Sequence, residues 1–589
     1  MAATKDQSAT GFGRLERVTV DEAAEGYVAA LTSQGVDCLF LNPGTDTFPI
    51  QEALAKFREQ GRPAPRTILC VFELVALAAA HGYYAATGRP QAVLVHVDVG
   101  TQNLGSMLHN AQRGRAAVFI GAGRAPYTVD PAERGSRDTY IHWLQEQLDQ
   151  HGVVRNFVKW DYELRRPDQV GEVIARAFQI AASDPPGPVY LTLPREVLMD
   201  DVGEVAIYPP ARMPPARVGA GDPDALQNVA WRLVESKRPV VLTSTTGRTI
   251  AGFRGLLRLA ELLALPVVEW RGRANFPSEH PLYQGHDVAP WLASADLVLI
   301  LDHDVPYIPT HTGPAADATV IQVDLDPVKE RIPLWTFPVD IAIRADTGRA
   351  LDLIASSAEL LLTDARRDAI DARRQELAAR HERMRHAWQE EVARAKEIRP
   401  IRPSWLANCL GQLYEESGDW IVVDEGVTND SFIWNGLPIR EPGSWFTSGG
   451  SGLGWGLGAA LGVKLARPDR TVVALVGDGS FVFGEPLAAL WAAQTNAAPI
   501  LVVIFNNVGY NATRTPLAAS YPEGYSVKTE RFVGVDLLPA PRYDLLAATV
   551  GAHGERVADP AEVLPALRRA LTRVRAGQSA IVDVLVGRP

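Results

Sequence analysis

The stretch from 477 to 507, GDGSFVFGEPLAALWAAQTNAAPILVVIFNN, most constrains what this chain can fold into. Just before it, TVVALV at 471–476 is an apolar, β-branched run of strand length. Gly477-Asp478-Gly479 reads as a sharp turn. Residues 485–494 have the length and period of a helix, and 499–505 read as a second apolar strand ending at Asn506-Asn507. Strands joined in this way run parallel, so their C-terminal ends share one sheet edge and Asp478 can sit beside Asn507. A carboxylate, an amide oxygen and a carbonyl from the following turn form a hard-oxygen set suited to magnesium, which completes its octahedron with phosphate oxygens. An ordinary strand–helix–strand unit with a glycine turn is the plainer alternative.

The GDG triplet followed at this interval by NN resembles the diphosphate-binding motif of thiamine diphosphate (ThDP) enzymes. The resemblance implies that Asp478, Asn507 and the carbonyl of Gly509 hold magnesium between the two phosphates. It also implies that Gly477, Gly479, Ser480 and Tyr510 surround the cofactor.

Bulk properties set the frame. A chain of 589 residues is expected to make three or four domains, and a net charge of -11 argues against nucleic acid or an anionic membrane as partner. No apolar run approaches membrane-spanning length, and the N-terminal stretch lacks the apolar core of a signal peptide. Cys38, Cys70 and Cys409 are scattered in apolar contexts and suggest neither a disulfide framework nor a zinc site. A cytoplasmic enzyme fits these facts, and so does a binding protein.

Read in order, 1–17 is expected to be a flexible tail and 18–194 a first α/β domain. In that domain 21–34 reads as a helix capped by Asp21, and short strands are expected at 37–41, 67–71, 92–97, 118–121 and 189–193. Asn42-Pro43-Gly44-Thr45 is a turn, and Glu73 leads an apolar helix. The strand at 92–97 carries His96, and Gly100-Thr101-Gln102-Asn103 leads to a helix with His109. Residues 195–221 read as a Pro-rich linker and 222–350 as a second α/β unit, with strands at 239–244, 266–270, 297–301 and 319–324. The charged segment 351–402 reads as a solvated helical linker, and 403–589 as a third α/β unit whose first strand covers 420–424. The expected fold class is therefore α/β, with three doubly wound parallel-sheet domains.

The same resemblance covers nearly the whole chain, in the order pyrimidine-binding, middle and diphosphate-binding domain. Glu73, Ala76, Ala80, Gly82 and Tyr83 match the E-x-x-A-x-x-x-A-x-G-Y setting of the glutamate in ThDP enzymes. Without the resemblance, Glu73 is a first-turn carboxylate favoured by the helix dipole. With it, Glu73 is implied to hold N1′ of the aminopyrimidine and so to promote formation of the C2 ylid. Leu453, in SGGSGLGWGLG at 448–458, is implied to wedge between the cofactor's two rings, with Gly452, Glu425 and Gly426 nearby.

Within the group of acetolactate synthases, benzoylformate decarboxylases and pyruvate oxidases, three segments resemble the hydroxyl and two histidines of a decarboxylase pocket. They supply Thr45, His96 and His280 as proton-handling candidates. Each histidine has a structural hydrogen bonder as its alternative reading, and His81 and His109 read as helix-packing residues. The group's FAD-binding members often carry Gly-x-Arg after a middle-domain strand, where this chain has Asp302-His303-Asp304, so FAD is not expected. The implied activity is a nonoxidative 2-oxo acid decarboxylase with carboligase capacity, acting through an enamine. Its implied assembly is a homodimer or dimer of dimers with active sites at the interface. The alternatives are an acetolactate synthase-like carboligase, a 2-hydroxyacyl-CoA lyase, and a noncatalytic ThDP-binding regulatory protein. Arg514 is open between a substrate-carboxylate fork and a surface arginine.

Overall fold

Alternating apolar strands and amphipathic helices give parallel sheets covered on both faces, and the chain builds three of them. The computed structural model describes residues 15–588, and the expected tail over 1–17 lies almost wholly outside them. The chain divides into two units, 1–216 and 217–589.

The first unit holds strands β1 (Glu16–Glu22), β2 (Cys38–Leu41), β3 (Arg66–Leu69), β4 (Gln91–Val95), β5 (Val118–Arg124), β6 (Asp161–Glu163), β7 (Val189–Pro194) and β8 (Asp201–Ile207). Six of them form a parallel sheet in the order β3-β2-β4-β5-β7-β6. One face packs Leu39, Leu94 and Phe119 against Tyr27, Ile174 and Phe178. Helices α1 (Ala23–Ser33), α2 (Phe48–Glu59), α3 (Glu73–Thr87), α4 (Val97–Asn103) and α5 (Ser106–Arg113) connect the early strands.

Two expectations fail here. The helix expected from Asp21 starts only at Ala23, because ERVTVDE is a strand that pairs antiparallel with β8. The expected linker at 195–221 opens as the helix Arg195–Met199 and continues as β8, where Val205 and Ile207 alternate into the core. In both cases period-2 alternation, completed by a distant partner strand, outweighs the local signal.

The second unit carries two sheets. The middle one comprises β9 (Pro239–Thr243), β10 (Val267–Glu269), β11 (Leu297–Leu301), β12 (Thr319–Asp324) and β13 (Ile341–Arg344), in the order β10-β9-β11-β12-β13. The last comprises β14 (Trp420–Glu425), β15 (Trp445–Phe446), β16 (Thr471–Gly477), β17 (Leu501–Asn506), β18 (His553–Val557) and β19 (Ala580–Leu585), in the order β15-β14-β16-β17-β19-β18. The charged segment between them is the 32-residue helix Asp364–Ala395. The helix Thr347–Leu361 before it belongs to the middle core, through Leu351, Ile354 and Ala358.

The strand order reverses between β2 and β4, between β9 and β11, and between β14 and β16. Ligands of open α/β sheets bind outside the carboxyl ends at such reversals.

Inside the second unit a fully buried ion pair sits where the middle and last sheets meet. Arg271 Nε donates to Glu269 Oε1 at 2.9 Å, and Arg271 Nη1 donates to the Leu437 carbonyl at 3.3 Å. Asn275 Nδ2 donates to the other Glu269 oxygen at 3.2 Å. Removing one partner strands a buried charge. Arg271→Met is therefore expected to cost about 3–5 kcal/mol. Calorimetry of the purified variant checks this, and an unchanged unfolding midpoint would contradict it.

Candidate active site

In the first unit, three chain segments meet at the reversal between β2 and β4. Glu73 is the first residue of α3 and is buried. Its Oε1 accepts from Asn42 Nδ2 at 2.9 Å and its Oε2 from Asn103 Nδ2 at 3.1 Å. Asn42 follows β2 and Asn103 ends α4, so both carboxylate oxygens are fixed by side chains from neighbouring crossovers. Gly100 closes the gap between Glu73 and His96. A Cβ there would lie 3.1 Å from Glu73 Oε1 and 3.4 Å from the His96 Cβ.

His96 falls just after β4, not within it, and leads α4. Its Nδ1 is hydrogen-bonded to Asp46 Oδ1. Asp46 Oδ2 accepts from the Val97 N–H at 3.2 Å, and the Asp46 side chain is fully buried. Burial of the ring pulls the His96 pKa down. The Asp46 carboxylate, helped by Gln145 and Asp98, outweighs this and leaves it raised. Thr45, expected to present a hydroxyl, is an exposed residue whose carbonyl accepts from Arg195 Nη1 at 3.3 Å. The residue that the same turn directs inward is Asp46, which sequence reasoning missed. Its signal was there, since Asp46 is the one charged residue between Cys38 and Gln51.

His109 and His81 lie on α5 and α3. His81 is buried among apolar residues of α3, and desolvation followed by Arg113 lowers the His109 pKa.

In the second unit, the GDG triplet does not turn freely, because Asp478 begins the helix Asp478–Phe483 directly after β16. Gly479 and Ser480 lie buried in that helix. The Asp478 carboxylate is buried, with Oδ2 accepting from the Gly509 N–H at 2.9 Å. Burial pushes its pKa up to about 6, against backbone N–H groups of Gly509, Gly479 and Asn507 that pull it down.

The two asparagines divide their roles. Asn506 donates from Nδ2 to Asp583 Oδ1 at 2.8 Å and accepts the Val508 N–H at 3.2 Å. Asn507 Oδ1 is buried without a hydrogen-bond partner among the described residues. Val508 then takes φ 57, a costly conformation for a β-branched side chain, and this brings Gly509 back onto Asp478. A buried carboxylate beside an orphaned amide oxygen fits a hard cation better than a closed protein core. The Tyr510 ring lies over Gly479, where a Cβ would come within 2.6 Å of it.

At the reversal between β14 and β16, Glu425 accepts three backbone N–H groups: Gly454 at 2.8 Å, Trp455 at 3.3 Å and Gly456 at 2.8 Å. Burial still raises its carboxyl to about 7. Glu425 thus caps the helix Trp455–Ala466 and fixes the turn that carries Gly452 and half-buried Leu453. Gly454 in this turn has φ 96, and a Cβ there would stand 2.5 Å from the Phe483 carbonyl oxygen. Gly426 follows directly, with its N–H on Asp424 Oδ1 at 3.0 Å, and Val427 beyond it is a second valine at positive φ.

Two other candidates have local partners. His280 Nδ1 accepts the Leu282 N–H at 3.2 Å, and its ring stands edge-on to Phe276 at 5.2 Å. Its pKa is lowered, first by desolvation. These contacts favour a structural role in the middle domain. Arg514 lies over the Phe532 ring at 3.9 Å and pairs with Asp536 at 3.4 Å, so its fork is already engaged.

At the middle-sheet reversal, Lys329 is buried between Asp324 at 2.5 Å and Asp304 at 2.8 Å. The Thr245 N–H and hydroxyl both donate to the Asp302 carbonyl, at 3.1 and 3.0 Å.

Comparison with known proteins matches all three sheets. Residues 21–153 match the thiamine pyrophosphate enzyme N-terminal TPP binding domain, 226–354 its central domain, and 427–584 its C-terminal TPP binding domain. The chain is 29% identical to benzoylformate decarboxylase of Pseudomonas aeruginosa, over 82% of this chain and 85% of that protein. It is 26% identical to the probable acetolactate synthase large subunit of Methanocaldococcus jannaschii, over 93% and 90%. The crystal structure of benzoylformate decarboxylase from Polynucleobacter necessarius superposes with a TM-score of 0.77 at 21% identity, covering 96% of this chain and 99% of that one.

Proposed function

We propose that this chain, which belongs to the thiamine pyrophosphate enzyme family, is a nonoxidative 2-oxo acid decarboxylase with carboligase capacity. The observation that carries the reading is the pairing, across Gly100, of a buried carboxylate held by two amides with a histidine backed by a buried aspartate. One group is suited to holding a proton on a cofactor ring, the other to delivering a proton to a substrate carbon.

Thiamine diphosphate, when bound, supplies a ring carbon that adds to the 2-oxo carbonyl and stores the electron pair released as carbon dioxide leaves. Glu73 would hold the aminopyrimidine nitrogen, oriented by Asn42 and Asn103. Asp478, Asn507 and the Gly509 carbonyl would hold magnesium, with Gly477, Gly479, Ser480 and Tyr510 around the diphosphate. Leu453 would pack against the cofactor from the turn that Glu425 and Gly426 organise. His96 would give its Nε2 proton to the substrate-derived carbon, which becomes the aldehyde carbon of the product. Admission of a second carbonyl before that protonation gives a hydroxyketone.

The carboxylate of Glu73 lies in the first unit, and Asp478, Asn507 and Leu453 lie in the second. We assign each complete site to two copies of the chain, in a homodimer or dimer of dimers in the cytoplasm. Exposed apolar side chains next to the site residues support this: Val71 and Val99 in the first unit, and Val482, Phe483 and Leu487 in the second. Among the described residues no helix is long and apolar enough to cross a membrane.

The test is proton NMR of the protein with thiamine diphosphate, magnesium and a panel of 2-oxo acids, alone and with acceptor aldehydes. Aldehyde signals from an acid alone are expected, with hydroxyketones appearing when an acceptor is added. Hydroxyketones without free aldehyde would make the chain a dedicated carboligase. Silence across the panel would overturn the reading.

A further inference from the structure

We propose that Asp46 is the positioning residue that fixes the proton on Nδ1 of His96 and so dedicates Nε2 to proton delivery. The inference rests on His96 being the proton donor of the proposed reaction.

The geometry leaves little alternative at this site. Asp46 is fully buried, one carboxylate oxygen on the ring nitrogen and the other on the Val97 N–H at 3.2 Å. An ionised carboxylate only accepts, so the nitrogen facing it carries hydrogen. In the neutral ring Nε2 then holds the lone pair, and protonation places the exchangeable proton there. Two glycines make room for the pair. A Cβ on Gly123 would fall 1.1 Å from Asp46 Oδ2, and one on Gly44 would fall 1.9 Å from His96 Nδ1. A side chain at either glycine would collide with the pair, so the contact depends on the turn after β2 and on β5 together.

The neighbours reinforce this assignment. Asp98, on α4, and Gln145 are the other groups that favour a charged ring. The Asp98 Oδ2 is engaged by Gln102 at 3.2 Å and Gln147 at 2.9 Å, which leaves Asp46 as the carboxylate on the ring itself. Arg195 donates from Nη1 to the carbonyl of Thr45, the residue before Asp46, at 3.3 Å, and burial followed by Arg195 lowers the pKa of His142, so of these two only Arg195 brings positive charge near the turn. The His96 side chain is 20% exposed, enough for one edge to meet substrate and water.

The proton balance closes. The Nε2–H bond breaks as a C–H bond forms on the substrate carbon, whose electron pair came from the departing carbon dioxide. The neutral ring keeps its Nδ1 hydrogen on Asp46 and regains a proton at Nε2 from water.

The test uses protein labelled at the histidine Cε1, titrated by NMR without substrate or cofactor. The His96 signal is identified among the 12 histidines by its loss in His96→Gln. In the wild type it is expected to titrate above the ordinary histidine range. In Asp46→Asn the midpoint is expected to fall by about one pH unit, a tenfold loss of proton affinity. Gly123→Ala, which pushes Asp46 off the ring from the opposite side, should shift it in the same direction. Under turnover, Asp46→Asn should lower kcat roughly 10²-fold with little change in KM. Its alkaline activity limb should move to lower pH, since the donor must be protonated and loses its proton earlier. An unchanged His96 midpoint in both variants would overturn the proposal. If the midpoints shift but no 2-oxo acid is turned over, the role of Asp46 in setting the ring stands and the proposed reaction falls.

Discussion

Replacing Glu73 by glutamine is expected to reduce turnover by roughly 10²–10⁴-fold while leaving the fold intact. The amide has the size of the carboxylate; its oxygen can still accept from one of Asn42 and Asn103, and the other asparagine can turn its own amide to present oxygen to the new N–H2. What it cannot do is hold a proton on the cofactor ring as a carboxyl group does. Far-ultraviolet circular dichroism and the melting midpoint should match the wild type within error. Thiamine diphosphate should still bind, through the second unit. Near-full activity in Glu73→Gln would mean that the buried carboxylate is a helix-start residue only, and the proposed mechanism would be wrong.

Replacing Asp478 by asparagine should separate stability from binding. At neutral pH the apo protein holds an ionised carboxylate whose pKa burial has pushed up to about 6. An acid with a raised folded-state pKa destabilises the fold as it ionises, so the penalty is absent below its unfolded value and complete above about 6. That difference corresponds to a cost on the order of 3 kcal/mol. The amide removes it, so the apo variant should melt at the same temperature or higher. The same change deletes the charge expected to hold magnesium, and should weaken magnesium-dependent cofactor binding by more than about 10²-fold. Calorimetry with and without thiamine diphosphate and magnesium reads both effects. A variant that still gains the full wild-type stabilisation from cofactor would remove Asp478 from the metal site.

Local sequence determined most of what places the chemistry. The apolar runs of strand length and the helices between them fixed a parallel architecture, because strands buried on both faces read as nearly continuous apolar runs, as in AVLV of β4, VVL of β9 and LVVIF of β17. The Glu73 setting and the GDG–NN interval marked two sheet edges, because the chemistry needs particular residue types directly after a strand. The edges of elements were less legible. Asp21 looks like a cap until β8, 180 residues later, claims it for a strand, and His96 looks like a strand residue until Asp46 takes its ring.

Tertiary structure alone decided the rest. Only folding brought Asp46 onto His96, since the two are 50 residues apart and the two glycines that admit them look like any others. Only the folded backbone put Val427 and Val508 at positive φ, strain that local preference opposes and the surrounding sheet enforces. Thr45 and Asp46 are adjacent in the chain, yet one is exposed and the other fully buried. Sequence names the residue types available at a sheet edge. Which of them turn inward depends on the free volume and hydrogen-bond partners supplied by crossovers far away in the chain.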